Sequence, residues 1–163
     1  MKTSASVFLA MLWLFGGMAL AHEPEPTAFF PFAFINTSAG PTRPDEQVRL
    51  ASLNAQLQAA LVHSGCCVAV DLSAVADQAR QFEMASCNGC EVALARKAGA
   101  AISITGWVQK VSELILNINV VVRRVDTGAP IAAGSVDIRG NTDESWSRGL
   151  AWLVRNRLHP SDW

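Results

Sequence analysis

The sequence predicts one α/β domain whose mixed five-stranded sheet is covered by helices on one face or on both, in a two-layer or three-layer arrangement. Short apolar runs alternate with helical segments over much of the chain, a pattern typical of parallel strands joined by helical crossovers. In residues 114–125 every second side chain is apolar and the side chains between them are mixed, a pattern typical of a strand with one buried face. Short connections join this strand to one on each side, which predicts an antiparallel meander. The predicted order is β-α-β-α-α-β-β-β-α.

Residues 1–21 have the three parts of a secretory signal peptide. Lys2 supplies the positive charge, residues 7–14 form the apolar stretch, and Ala19 and Ala21 are the small residues before the cleavage site. The apolar stretch is shorter than the ~20 residues that a membrane-spanning helix needs. We therefore expect cleavage after Ala21 and export to the periplasm as a soluble protein with no later membrane span.

Charge and motifs narrow the classes of function. The net charge is −1, and removal of Lys2 would leave 12 basic and 14 acidic residues, a net charge of −2. This near-neutral balance, without a basic run, argues against nucleic acid as a partner. The sequence contains no GxSxG, HExxH, GxGxxG or P-loop motif. We therefore expect a protein that is not an enzyme and that has no cofactor.

The N-terminal part of the mature chain is predicted to be a leader followed by a strand. Residues 22–28 are rich in Pro and Glu, so we expect a flexible leader there. The domain itself is predicted over residues 29–159, and residues 160–163 form a tail. The run FFPFAFI, residues 29–35, is apolar at nearly every position, which predicts a strand buried on both faces.

Helical and extended segments alternate in the next part of the chain. Asp45 and Glu46 open a first helix, where carboxylates complement the amide end of the first turn. Leucines recur along it at three- and four-residue steps and give it one apolar face: Leu50, Leu53, Leu57 and Leu61. Residues 66–71 predict a second buried strand, residues 74–82 a weakly patterned helical segment, and residues 91–98 another helix.

The C-terminal part predicts the meander and a closing helix. Residues 101–111, 114–125 and 131–139 form the three strands, with a turn at Asp-Thr-Gly before the last. Asn141 is predicted to cap the final helix, with Glu144 three residues later returning the hydrogen bond.

The CNGC motif is the strongest chemical candidate in the chain. An even number of cysteines in an exported protein suggests disulfides, while two thiols at this spacing also suit a redox-active pair or a metal site. Three interpretations of Cys87 and Cys90 therefore remain open. They could form structural disulfides, including a link to Cys66 or Cys67; they could be a redox-active pair; or they could bind a metal. Adjacent residues on a strand point to opposite faces, so at most one of Cys66 and Cys67 is expected to reach the motif. Glu91 stands where haem attachment would need His, and the scattered histidines predict no metal ligand set.

Six polar residues are candidates for binding a ligand or partner: Asn36, Thr37, Ser38, Asp71, Asn117 and Asn119. Asn36, Thr37 and Ser38 follow the first predicted strand and Asp71 ends the second, and ligands of α/β sheets bind beyond the carboxyl ends of strands. Turn building and helix capping are the alternative role of such residues. The two asparagines lie on the fourth strand, where they could pair with a partner's backbone or form a solvated sheet face.

The chain resembles known envelope families along most of its length. FAFINTSAG, ARKAGAAISITGWVQKV, VVVRRVDTGAPIAAGSVDIRG and TDESWSRGLAWLVRNRL are similar to strings of the TolB N-terminal domain family. CNGC, WVQKVSELILNINV and DIRGNTDESW, in this order, resemble more closely an uncharacterised family of predicted periplasmic proteins, a domain of unknown function. The resemblance covers about residues 29–158.

What the resemblance implies is a TolB N-terminal-domain-like fold and an accessory role in the envelope. Such domains act as protein-binding modules, so an envelope protein is the expected partner and a small ligand the other expected occupant. Members of the closer family are also expected beside periplasmic quinoprotein alcohol-oxidising systems. A thiol-redox or metal-handling protein centred on CNGC is the alternative function. Nothing in the residues predicts the oligomeric state.

Overall fold

The computed structural model describes residues 23–163, so the predicted signal peptide and its cleavage site lie outside the described residues. Six strands and four α-helices are arranged in the order β-β-α-β-α-α-β-β-β-α. The strands are β1 Glu25–Phe29, β2 Ala33–Asn36, β3 Cys67–Ala69, β4 Ile102–Lys110, β5 Ile115–Arg124 and β6 Pro130–Arg139. The α-helices are α1 Pro44–His63, α2 Ala76–Ala79, α3 Cys90–Lys97 and α4 Asp143–Leu153. Short helical turns at Ser73–Val75, Val154–Leu158 and Pro160–Asp162 complete the described chain.

The strands form one mixed sheet in the order β3-β1-β4-β5-β6, with β2 also paired to β4. β1 is parallel to β3 and β4, and β2 is parallel to β4. β4, β5 and β6 are antiparallel neighbours. The predicted mixed α/β fold, with a parallel part followed by an antiparallel meander, is therefore confirmed.

The N-terminal edge of the domain corrects two predictions. The predicted first strand, residues 29–35, is two strands, because Pro31 has no amide hydrogen to donate to the sheet. Phe30 N still donates to Ile104 O at 3.0 Å, whereas Phe32 N donates to the side chain of Asn54 at 2.8 Å. The sheet therefore has six strands rather than five. The predicted leader, residues 22–28, is also too long, because β1 begins at Glu25 and pairs on both sides.

The number of layers changes across the sheet. The leucines of α1 and Trp146 and Leu150 of α4 pack with Ile104 and Ile118 on one face. Ala28 and other residues of the parallel part pack on the opposite face against Val92, Leu94 and Ala95 of α3. Half-buried asparagines on β5 and exposed polar residues on β6 leave that second face open to solvent at the meander. The domain therefore has three layers at its parallel half and two at its meander.

The start of α4 lies one residue later than predicted. Thr142, not Asn141, is the N-cap: its hydroxyl accepts a hydrogen bond from Ser145 N at 3.2 Å. Ser145 Oγ accepts from Thr142 N at 3.3 Å, so Ser145 takes the role predicted for Glu144. Asn141 is buried and its side chain serves a polar network instead.

Candidate functional site

An apolar cleft of about 570 Å³ opens at the carboxyl ends of the parallel strands β1 and β3. β1 ends at Phe29 and β3 at Ala69, and both residues line the cleft. Pro31 diverts the chain at this point, so the sheet does not continue over the opening. The cleft therefore occupies the position at which open α/β sheets bind ligands.

The chain between β3 and the CNGC motif forms the outer wall of the cleft. Its lining is mainly apolar and includes Val70, Leu72, Ala76, Ala79, Phe82 and Met84. Two of these residues are alanines on the short helix α2, and their small side chains leave the space that the cleft occupies. Phe82 is 46% exposed although it is a large apolar side chain. An exposed aromatic residue at the mouth of an apolar cleft is typical of a binding surface.

Asp71 places a carboxylate at the rim of the cleft, as its position after β3 predicts. Its oxygens accept hydrogen bonds from Ser73 N at 2.9 Å and from Ser73 Oγ at 2.6 Å. These two hydrogen bonds lower the pKa of Asp71 below the usual 3.8. Asp71 is therefore an ionised acceptor at neutral pH. Arg80, also on the rim, is ion-paired with Asp77.

The loop after β2 lies away from the cleft, and the structure does not bring it together with Asp71. Asn36 Nδ2 donates to Gly40 O at 2.9 Å, and Asn36 Oδ1 accepts from Ser38 Oγ at 2.6 Å. Thr37 N and Oγ1 donate to Lys110 O at 2.9 and 3.0 Å. These polar groups are used within the turn and against β4. The two segments are separated because β2 pairs with the C-terminal half of β4, whereas β3 ends level with the N-terminal end of β4.

Cys87 and Cys90 form a disulfide with each other, at the N-terminal end of α3. The link to Cys66 or Cys67 that one interpretation allowed is not formed, and those two cysteines are free and buried. Gly89, between the bonded cysteines, has φ +112°, a left-handed conformation that favours glycine and turns the chain into α3. The motif is half-buried and lies at the end of the cleft wall.

Among the described residues, one group of ligand-type side chains converges: Cys87, Cys90 and Glu91. Glu91 is buried and its Oε1 lies 3.0 Å from Nε of Arg123. The sulfur of Met84 lies 3.8 Å from Sγ of Cys90. The sequence alone does not predict a role for Met84, because the spacing of CNGC gives no sign of a third sulfur before it.

Cys66 and Cys67 differ from the prediction that they point to opposite faces. Both are buried and their sulfur atoms are only 2.9 Å apart. The alternation of a strand does not apply, because β3 starts at Cys67 and Cys66 belongs to the bend before it. Burial, together with the Cys66 thiol, raises the pKa of Cys67 to about 12. Both side chains pack in the core as small buried residues.

Asn117 and Asn119 lie on the open face of the meander and contact one another. Asn117 Nδ2 donates to Ser135 Oγ and to Asp137 Oδ1, each at 2.8 Å. Asn119 Nδ2 donates to Asn117 Oδ1. The two asparagines thus form part of a polar ladder across β5 and β6.

A buried polar network holds α1, β4 and α4 together, and the sequence analysis missed it. Lys110 Nζ donates to Glu46 Oε1 at 2.6 Å, and both side chains are at most 1% exposed. Asn141 Nδ2 donates to the same oxygen at 2.6 Å, and Trp146 Nε1 donates to Asn141 Oδ1 at 3.0 Å. Glu46 Oε2 accepts from Arg43 N at 2.7 Å. Lys110 shares the inward parity of its strand, which is the signal that could have revealed the network.

The fold is one that bacterial envelope proteins share. The chain is similar to the C-terminal domain of LpoB from Salmonella enterica, with 16% identity, a TM-score of 0.54, and coverage of 72% of this chain and 84% of that one. It is also similar to lipoprotein GNA1162 from Neisseria meningitidis, with 16% identity, a TM-score of 0.53, and coverage of 81% and 92%. TolB from Acinetobacter baumannii matches with a TM-score of 0.45 and 10% identity, over 83% of this chain and 29% of that one.

The chain belongs to the family DUF3280, described as "Protein of unknown function (DUF2380)", whose sequence profile matches residues 25–158. The predicted membership of an uncharacterised family is thereby confirmed. No curated protein matches the chain at a significant level. In the part of the chain that the structure describes, no helix has the length and apolar character needed to cross a membrane.

Proposed function

We propose that the protein is a non-enzymatic accessory protein of the bacterial cell envelope that binds a small apolar ligand in the cleft at the ends of β1 and β3. The cleft itself is the observation that carries the proposal. Its volume of about 570 Å³ falls within the roughly 300–1,000 Å³ of small-molecule sites. A few polar groups at the rim of a mainly apolar lining are also the usual composition of such a site.

The lining indicates the chemistry of the ligand. Phe29, Phe30 and the alanines of α2 offer contact area but no hydrogen bond from their side chains. Asp71 is ionised and can only accept hydrogen bonds. The best-fitting ligand is therefore an apolar molecule, aliphatic or aromatic, that carries a hydroxyl or amine group to donate to this carboxylate.

The sequence and its resemblances support a periplasmic compartment and an envelope protein as the partner. The predicted signal peptide, with cleavage after Ala21, supports a periplasmic location. GNA1162 from Neisseria meningitidis, which has a similar fold, is a lipoprotein. The partner that receives the bound ligand would be an envelope protein. The resemblance to the uncharacterised periplasmic family suggests a quinoprotein oxidising system as this partner. The open face of the meander is one surface available for that contact.

Blocking the cleft tests the proposal. The neutral fluorescent amine N-phenyl-1-naphthylamine serves as the probe, because it is apolar and has an N–H to donate. Ala69→Trp places an indole in the cleft from an exposed position on β3, and we expect at least a tenfold loss of probe affinity. Val68→Trp is the matched control. Val68 neighbours Ala69, is 50% exposed and does not line the cleft, so this variant should bind the probe with the affinity of the wild type.

Two outcomes would overturn the cleft as the binding site. One is that the folded wild-type protein shows no saturable binding of the probe. The other is that Ala69→Trp and Val68→Trp bind it equally well, which would place the probe elsewhere. Circular dichroism of both variants establishes that each is folded before the titrations are compared.

A thiol-redox or metal-handling role of CNGC is the second candidate function. The observation that favours it is that Cys87 and Cys90 bond to each other and remain half-buried, rather than being used as a link to the distant cysteines. With a sequence separation of 3, this disulfide closes a small loop and constrains the unfolded chain less than a long-range link to Cys66 or Cys67 would. This favours a role for the Cys87–Cys90 disulfide in thiol redox chemistry or metal binding rather than in stability alone.

A further inference from the structure

Three sulfur atoms from residues 84–90 meet at the start of α3, whose first residue is Cys90. Sγ of Cys87 and Sγ of Cys90 are bonded, and their Cα atoms are 5.6 Å apart. Sδ of Met84 lies 3.8 Å from Sγ of Cys90. All three residues are half-buried, so an ion can reach them without unfolding of the domain.

The spacing of these atoms suits a metal ion once the disulfide is reduced. In a trigonal site with metal–sulfur bonds of about 2.3 Å, the sulfur atoms are about 4 Å apart. The Met84 to Cys90 distance already has this value within a few tenths of an ångström. Reduction frees the two cysteine sulfurs to separate to a similar distance.

The neighbouring carboxylate does not compete for the same ion. Glu91 Oε2 is 3.7 Å from Cys87 Sγ, but Oε1 is held by Arg123 at 3.0 Å and the side chain is buried. The ion pair with Arg123 already compensates the charge of this carboxylate, and carboxylate oxygens are hard ligands that suit Mg²⁺, Ca²⁺ and Mn²⁺ rather than Cu(I). What remains is a ligand set of two thiolates and one thioether. Such soft ligands select Cu(I), whereas zinc sites are built from Cys, His and carboxylate ligands.

We propose that Cys87, Cys90 and Met84 form a Cu(I) site that exists only in the dithiol state of CNGC. This inference deepens the second candidate function and does not depend on what fills the cleft. A dithiol reductant supplies two electrons and two protons, so that the Cys87–Cys90 bond breaks, two thiols form, and the reductant becomes a disulfide. Cu(I) then bonds to both Sγ atoms as their two protons leave, and the Met84 thioether completes the coordination without a change of charge.

Competition for Cu(I) tests the site. The protein is reduced with a phosphine that is then removed anaerobically, the free thiols are counted, and Cu(I) is titrated against bicinchoninate. We expect one Cu(I) per reduced chain and none bound at this site in the oxidised chain. Met84→Leu should weaken binding by at least about tenfold, since even the loss of an outer-shell group costs that much. Gln81→Leu, an exposed substitution in the same segment, is the control and should leave the affinity unchanged.

Cys87→Ser/Cys90→Ser separates this site from the buried thiols, because it retains Cys66 and Cys67. Loss of Cu(I) binding in this variant supports the assignment, and persistence of binding overturns it. The assignment is also overturned if the oxidised chain binds as tightly or if Met84→Leu matches the wild type. Two further results would overturn it: mild reduction that yields no thiols beyond those of Cys66 and Cys67, or a reduced chain that prefers Zn²⁺. Met84 also lines the cleft, so the cleft is tested on the wild-type protein and on Ala69→Trp, and failure of one proposal leaves the other decided by its own result.

Discussion

Lys110→Met removes a buried ammonium group and keeps most of the side-chain volume, so it isolates the contribution of the polar network. Lys110 Nζ contacts Glu46 at 2.6 Å and Glu113 at 2.5 Å. Glu46 would keep a buried carboxylate without its cation, and breaking a buried pair in this way costs about 3–5 kcal/mol. Glu113 is 53% exposed and Glu46 retains other hydrogen bonds, so we expect the lower end, about 3 kcal/mol.

This loss should be measurable both by urea and by heat. Urea unfolding followed by circular dichroism gives the free energy of unfolding, and about 3 kcal/mol corresponds to a fall of about 10 °C in melting temperature. Arg148→Met is the control, because Arg148 and Glu144 form an exposed pair that should contribute less than about 0.5 kcal/mol. A Lys110→Met protein as stable as the Arg148→Met protein would refute the reasoning. Glu46→Leu/Lys110→Met, which leaves neither charge unpaired, should be more stable than Lys110→Met alone.

Three further predictions concern close packing, pH and the buried thiols. Gly149→Ala should lower the free energy of unfolding in urea by about 1–3 kcal/mol, because the new Cβ would lie 2.4 Å from Ile138. This clash outweighs the better helix propensity of Ala, and a gain in stability would contradict the packing. Burial would raise the pKa of Glu46, but the hydrogen bonds to its carboxylate outweigh burial and lower the pKa below the usual 4.5. The ionised Glu46 side chain therefore stabilises the fold above pH 4.5, and this stabilisation is lost as the pH falls through the folded-state pKa. Glu46→Gln should flatten this acid limb of stability against pH, and an unchanged limb would assign it to other groups. Cys66 and Cys67 should resist iodoacetamide in the native protein and react after urea denaturation, and rapid native labelling seen by mass spectrometry would contradict their burial.

Periodic patterns predicted most of the fold. The leucines of α1 all lie in the core, and residues 115–124 form the predicted half-buried strand. These predictions succeed because burial of one face repeats at the period of the element itself. Pro31 interrupts the run of residues 29–35, whose almost wholly apolar composition alone predicts one continuous strand. The Pro- and Glu-rich residues before it pair in β1 because neighbouring strands, not local composition, decide their conformation.

The candidate sites were only partly accessible from the sequence. Asp71 could be placed at the end of a strand, but the cleft depends on the return of α2 and on the small size of its alanines. Met84 reaches the disulfide through a turn that has no periodic signature. Tertiary proximity of this kind leaves no regular spacing to detect. Lys110 is the exception, since a lysine at an inward position of a strand was visible before the structure was known.

Mapping the bound probe by NMR tests the central claim most directly. Uniformly ¹⁵N-labelled protein is titrated with N-phenyl-1-naphthylamine, and backbone amide shifts are followed to saturation. The cleft predicts that the largest shifts fall within residues 69–84, around Val70, Leu72 and Ala79. Shifts concentrated on the polar ladder of β5 and β6, or a lack of saturable shifts altogether, would contradict a ligand site at the ends of β1 and β3.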